Sequence, residues 1–149
     1  MKKFEFSLSK MLNFREQLLE KEKNALSQLF IQKNALDHHV QSVTEQLEQV
    51  RTRLEQKTRE GVIISELRSL TFTLENGKKQ LKQLQKDQAL LNSSVELQRN
   101  AVVKASQQVS KLENLKEKQW EEYQYTLTKA EELLISEHVA STLIRQVNS

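Results

Sequence analysis

Apolar residues recur along this chain at alternating steps of three and four, in two long runs. The longer run begins at Leu67 and passes through Leu70, Leu74, Gly77, Leu81, Leu84, Gln88, Leu91, Val95, Gln98, Val102, Ala105, Val109 and Leu112. It continues through Lys116, Gln119, Tyr123, Thr126, Ala130, Leu133, Glu137, Ala140, Ile144 and Val147. Of these 24 positions 17 are apolar, counting Ala and Tyr, and no insertion breaks the count. The shorter run is Leu8, Leu12, Arg15, Leu19, Glu22, Leu26, Leu29, Lys33, Leu36, Val40, Val43, Leu47, Val50 and Leu54, with 11 of 14 apolar. A repeat of 3.5 residues keeps one stripe of a helix turned toward a partner, so each run predicts a long helix carrying a coiled-coil seam. Met11, Phe14, Leu18 and Ala25 add a second stripe near the start of the first helix, which leaves room there for more than one neighbour.

Between the runs stands Gly61, the first residue suited to a left-handed C-cap. Ser65-Glu66 follows as a candidate N-cap with an acid in the first turn, and Ser7 or Ser9 is the candidate cap of the first helix. The expected arrangement is one coiled-coil domain over 1–149, with helix 1 at about 7–58, a turn at about 59–65 and helix 2 at about 66–147. The fold class is all-α: a long two-helix antiparallel coiled-coil hairpin with a C-terminal helical overhang. Folding back at Gly61 sets Leu54 against Leu67 or Leu70, Leu47 against Leu74, Val40 against Leu81, Lys33 level with Gln88, and Leu12 against Val109 or Leu112. Helix 1 is then used up near residues 115–117. About thirty residues of helix 2, roughly 45 Å at ~1.5 Å per residue, have no partner within the chain. That overhang keeps Trp120, Tyr123, Leu127, Leu133, Leu134, Ile135, Val139, Leu143 and Ile144, and so much apolar surface asks for cover. Gly77 lies inside the second seam as a close-approach or locally flexible point. A break at Asn92-Ser93-Ser94 or near Asn100 would instead give a three-helix bundle.

Composition agrees with an elongated helical protein: 149 residues, 29% charged, no Pro, two Gly and five Phe. With no Cys there is no disulfide and no thiolate metal site, as suits a reducing cytoplasm. Lys2 and Lys3 are not followed by an apolar stretch, which argues against a signal peptide, and no run reaches the ~20 apolar residues of a membrane span. The net charge is +3 and unevenly spread: residues 66–111 are basic, 112–149 acidic. Lys78, Lys79, Lys82 and Lys86 form a partial stripe off the seam, but without interleaved aromatics it reads as a solvated or acid-partnered face and not as a nucleic-acid site.

Candidate chemistry is sparse. His38 and His39 diverge by ~100° on a helix, so they cannot share a metal, and a solvated face is their ordinary reading. Two glycines make no phosphate loop, and no nucleophile–base pair is readable, so neither a cofactor nor an enzymatic activity is expected. Trp120 has two readings: a cap on the open end of the hairpin against Phe4, Phe6 or Leu8, or an aromatic anchor for a partner.

Taken together, four stretches resemble the FliJ family, the coiled-coil protein of the bacterial flagellar type III export apparatus. They are Phe4-x-Phe6-x-Leu8 leading into Leu12-Asn13-Phe14-Arg15-Glu16, then Gly61 with Glu66-Leu67-Arg68, then Lys111-Leu112-Glu113-x-Leu115-Lys116-Glu117-Lys118-Gln119 with Tyr123, and last Glu132-Leu133-Leu134-Ile135-Ser136-Glu137. The chain departs from the family at Ser136, where an acid is common, and at Thr73 and Gly77, where bulky residues are usual. The resemblance implies a stalk-like, non-enzymatic protein without cofactors, located in the cytoplasm at the inner-membrane face of the flagellar base and serving motility. It implies three partners: a hexameric flagellar export ATPase, the cytoplasmic domain of the export-gate membrane protein, and substrate-free export chaperones. No nucleic acid and no membrane insertion are implied. By position, the ATPase-facing residues would be Phe4, Phe6, Leu8, Leu12, Arg15, Gln119, Trp120, Tyr123, Leu133, Leu134 and Glu137, and the gate-facing ones Val43, Val50, Leu70 and Leu74. The alternatives are a parallel homodimeric scaffold and the equivalent stalk of a virulence secretion system.

Overall fold

The computed structural model describes residues 3–148; Met1, Lys2 and Ser149, which the reading of 1–149 as one domain includes, lie outside them. It contains two helices, α1 (Ser9–Glu60) and α2 (Ile64–Asn148), with no strand among the described residues. The chain divides into two compact units, one of residues 21–103 and one that joins 1–20 to 104–149.

In the first unit α1 and α2 fold back on each other about Gly61, whose φ of 90° an L side chain rarely adopts. The turn is shorter than expected, three residues between Glu60 and Ile64. Ser65 is not the cap. The carbonyl of Ile63 accepts the first helical bond, from the Leu67 amide at 3.1 Å, which puts Ser65 inside the first turn with Glu66. Glu66 also takes the Lys57 ammonium across the turn at 3.2 Å. That pair is exposed and worth at most a few tenths of a kcal/mol to about 1 kcal/mol.

Burial follows the seams. Every position of the shorter run is buried or half-buried, as is every position of the longer run from Leu70 to Leu112. Val43, Leu47 and Val95 form the most enclosed part of this unit, Val95 at 2% exposure. Each such side chain contributes about 1.5–3 kcal/mol by leaving water. The register differs by about a turn in places from the sequence expectation. Gln88 donates to Asp37 at 2.9 Å, so Lys33 is not its partner. Leu47 lies against Gly77: a Cβ there would come within 2.1 Å of the Leu47 Cδ2 atom. Gly77 is therefore a close approach, which offsets the roughly 1 kcal/mol that glycine costs inside a helix. The Glu22–Gln98 layer was not anticipated: the Gln98 amide donates to the Glu22 carbonyl at 3.0 Å and to its carboxylate.

α2 runs through Asn92-Ser93-Ser94 without a break, which removes the three-helix alternative. Ser94 returns its hydroxyl to the Leu90 carbonyl at 3.2 Å, and the buried Val95 next to it holds the register.

In the second unit the N-terminal segment lies on the C-terminal half of α2. Phe6, Leu12 and Val109 are its buried core, with Phe4, Leu8, Leu19 and Leu112 packed around them. Neither Ser7 nor Ser9 supplies the start of α1 in the expected way. The Leu8 carbonyl accepts the first helical bond, from Leu12 at 2.9 Å, after a turn closed by the Ser9 amide donating to the Phe6 carbonyl at 3.1 Å.

Candidate partner-binding surface

The residues near the two chain ends separate into a packed group and a bare one. Phe4 is held edge-on to Trp120 at 5.0 Å between ring centroids and lies 5.5 Å from Tyr123, while Trp120 and Tyr123 stack at 5.7 Å. Aromatic pairs at these spacings are worth about 0.5–1.5 kcal/mol beyond their buried area. Trp120 therefore does cap the hairpin's open end against Phe4, while 42% of it stays exposed. An open pocket of about 390 Å³ beside it is lined by Phe4, Leu12, Glu16, Glu113, Lys116, Glu117 and Trp120. Phe6 and Leu12 are too buried to offer a surface, and Leu8, Arg15, Gln119 and Tyr123 are half-buried.

Beyond Ala130 the cover ends. Every residue from Glu131 to Asn148 is exposed. Leu133, Leu134 and Ile135 are consecutive, 60%, 65% and 65% exposed, and at ~100° per residue they point in three directions around the helix. Val139, Leu143, Ile144 and Val147 continue this apolar surface and Glu137 lies within it, without an ion pair to any described residue. The local polar contacts are slight: Lys129 pairs with Glu132 at 3.6 Å and sits 5.6 Å from the Tyr125 ring centroid.

The other candidate group lies in the unit of residues 21–103. Val43 is buried; Val50, Leu70 and Leu74 are half-buried. Val43 and Val50 line an open groove of about 240 Å³ with Leu47, Thr73, Gly77 and Phe72. Phe72 is largely exposed and was missed because it lies off the seam; an aromatic residue between two threonines at a non-seam position is the signal that could have found it. His38 and His39 are both exposed, and among the described residues no group of His, Cys, Asp or Glu is placed to hold a metal ion. No helix among them is long and apolar enough to cross a membrane.

No curated protein and no solved structure gives a significant match to the chain. The model of the family described as "Flagellar FliJ protein" matches residues 4–148. It covers both helices and all the candidate residues above, so the chain belongs to the FliJ family and is a component of the flagellar export apparatus.

Proposed function

We propose that the bare C-terminal part of α2 is enclosed by a partner, and that this partner is the hexameric flagellar export ATPase. The observation that supports this reading is the placement of Leu133, Leu134 and Ile135, exposed on three sides of one helix. A helix with a single apolar stripe is satisfied by one neighbour; one that is apolar all round needs cover on every side. The pore of a ring supplies such cover. In this reading the chain does no chemistry. Ring subunits that hold the stalk better when assembled are drawn toward the hexamer by mass action, and the closed ring is the active form of the ATPase. In this reading Val43, Val50, Leu70 and Leu74 belong to the part offered to the cytoplasmic domain of the export gate, and substrate-free export chaperones are the remaining cargo of the same stalk. These contacts put the protein at the cytoplasmic face of the inner membrane.

Adding the purified chain to the flagellar export ATPase is expected to raise both its turnover and the fraction assembled into rings. If neither turnover nor ring formation changes at saturating concentrations, the reading is wrong.

A further inference from the structure

The basic stripe of α2 has a use that the reading above does not give it. Lys79, Lys82 and Lys86 lie on the side of the helix away from its seam, and Leu90 and Leu97 extend the same stripe toward the C-terminus. The three lysines are exposed and form no ion pair with a described residue, while Leu90 and Leu97 are 70% and 72% exposed. Read from N to C, the stripe is cations first and leucines after.

The C-terminal half of α2 carries the complementary order. Glu121, Glu131 and Glu132 are followed by Ile135, Val139 and Leu143, all within a sector of about 120° at ~100° per residue, and all exposed. Lys129 reaches Glu132 from the same helix, an exposed pair that a stronger partner can displace.

We propose that the acidic stretch from Glu121 to Leu143 of one copy docks, parallel, on the stripe from Lys79 to Leu97 of a second copy. Charge decides between the possible self-pairings. Stripe against stripe in parallel sets lysine on lysine, and acidic stretch against acidic stretch sets glutamate on glutamate. An antiparallel pairing of the two different stretches sets charges on apolar residues. Only the parallel, unlike pairing matches cations with acids and leucines with Ile135, Val139 and Leu143. Because each copy has one of each surface, the contact is heterologous and adds copies head to tail. It also occupies Ile135, so self-association and enclosure by a ring exclude each other. The inference itself does not depend on what the enclosing partner is.

Sedimentation velocity of the full chain tests it. At low salt the mass is expected to rise above that of a monomer with concentration, and to return to it at high salt. The variant Lys79→Glu/Lys82→Glu/Lys86→Glu and the variant Glu121→Lys/Glu131→Lys/Glu132→Lys should each stay monomeric alone, with helix content unchanged by circular dichroism. Mixed in equal amounts they should associate again, since each then meets a complementary surface on the other. A wild type that is monomeric at every concentration and salt overturns the proposal, even if its lysines then bind vesicles of anionic phospholipid. So does association that survives in either variant alone, or a mixture that stays monomeric.

Discussion

Replacing Leu133, Leu134 and Ile135 together by glutamine is expected to abolish binding to the flagellar export ATPase, a loss of 1000-fold or more in affinity, and with it any stimulation of turnover. Each of these side chains, if taken out of water by the partner, contributes about 1.5–3 kcal/mol, and three such losses exceed the roughly 4 kcal/mol that separates a thousandfold difference. Glutamine keeps nearly the helix propensity of leucine, and all three positions are exposed in the free chain. Helix content and melting temperature should therefore be unchanged, and the effect reports on binding alone. The single substitutions sharpen the point. An enclosing partner predicts that each of the three weakens binding by about tenfold or more, whereas a partner seated on one side leaves at least one of them silent. Titration of each variant into the ATPase, read as affinity and as turnover, distinguishes these outcomes.

The largest effect on the fold itself is expected at Val95. It is the most enclosed side chain described, at 2% exposure, and Val95→Asp would place a carboxylate at a position almost closed to water. An unpaired buried charge costs several kcal/mol, a large share of the 5–15 kcal/mol that holds a typical domain together. The variant should lose its cooperative thermal transition, or melt more than about ten degrees lower, as followed by helix ellipticity. Leu97→Asp, two residues on and exposed, should change stability by no more than about 0.5 kcal/mol. Equal stability of the two variants would mean that α2 does not turn the Val95 side toward α1.

The contrast between Val95 and Leu97 was legible in the sequence, because a 3.5-residue repeat specifies which side of a helix is covered. All of the first run, and the second from Leu70 to Leu112, is covered as the repeat requires. The end of that cover falls later than the length of helix 1 implies: the segment before α1 adds Phe4 against Trp120 and Tyr123, and half-buried seam positions recur as far as Ala130 instead of ending near residues 115–117. What periodicity does not give is the axial offset between two helices, since moving one by a turn keeps the same faces together. The turn is three residues and not seven, but both spans are centred on residue 62, so its length does not set the offset. Gln88 reaches Asp37, one turn along α1 from Lys33, and Leu47 lies against Gly77, about one turn along α2 from Leu74. The helix caps differ from expectation for another reason. The serines at 7, 9 and 65 are of the right type, but backbone carbonyls of Leu8 and Ile63 begin the two helices. The Glu22–Gln98 layer had a usable signal, two polar exceptions at matching levels of opposite seams. Of the candidate binding residues, Leu12, paired with Val109 or Leu112, is divided by the pairing from Leu133 and Leu134 in the overhang; Phe6, which precedes the seam, is not, and it belongs to the core.

The central claim is that the end of α2 is surrounded, and the absence of cysteine from the chain makes it directly measurable. Leu133→Cys, Leu134→Cys and Ile135→Cys, made one at a time and carrying a short photoactivatable cross-linker, sample three directions around the same turn. In complex with the assembled ATPase ring, all three should cross-link to ATPase subunits with comparable yield, and free thiols at all three should be protected from a water-soluble maleimide. If one or two of these positions cross-link while the others remain open to the maleimide, the helix lies against a surface and is not enclosed by a ring.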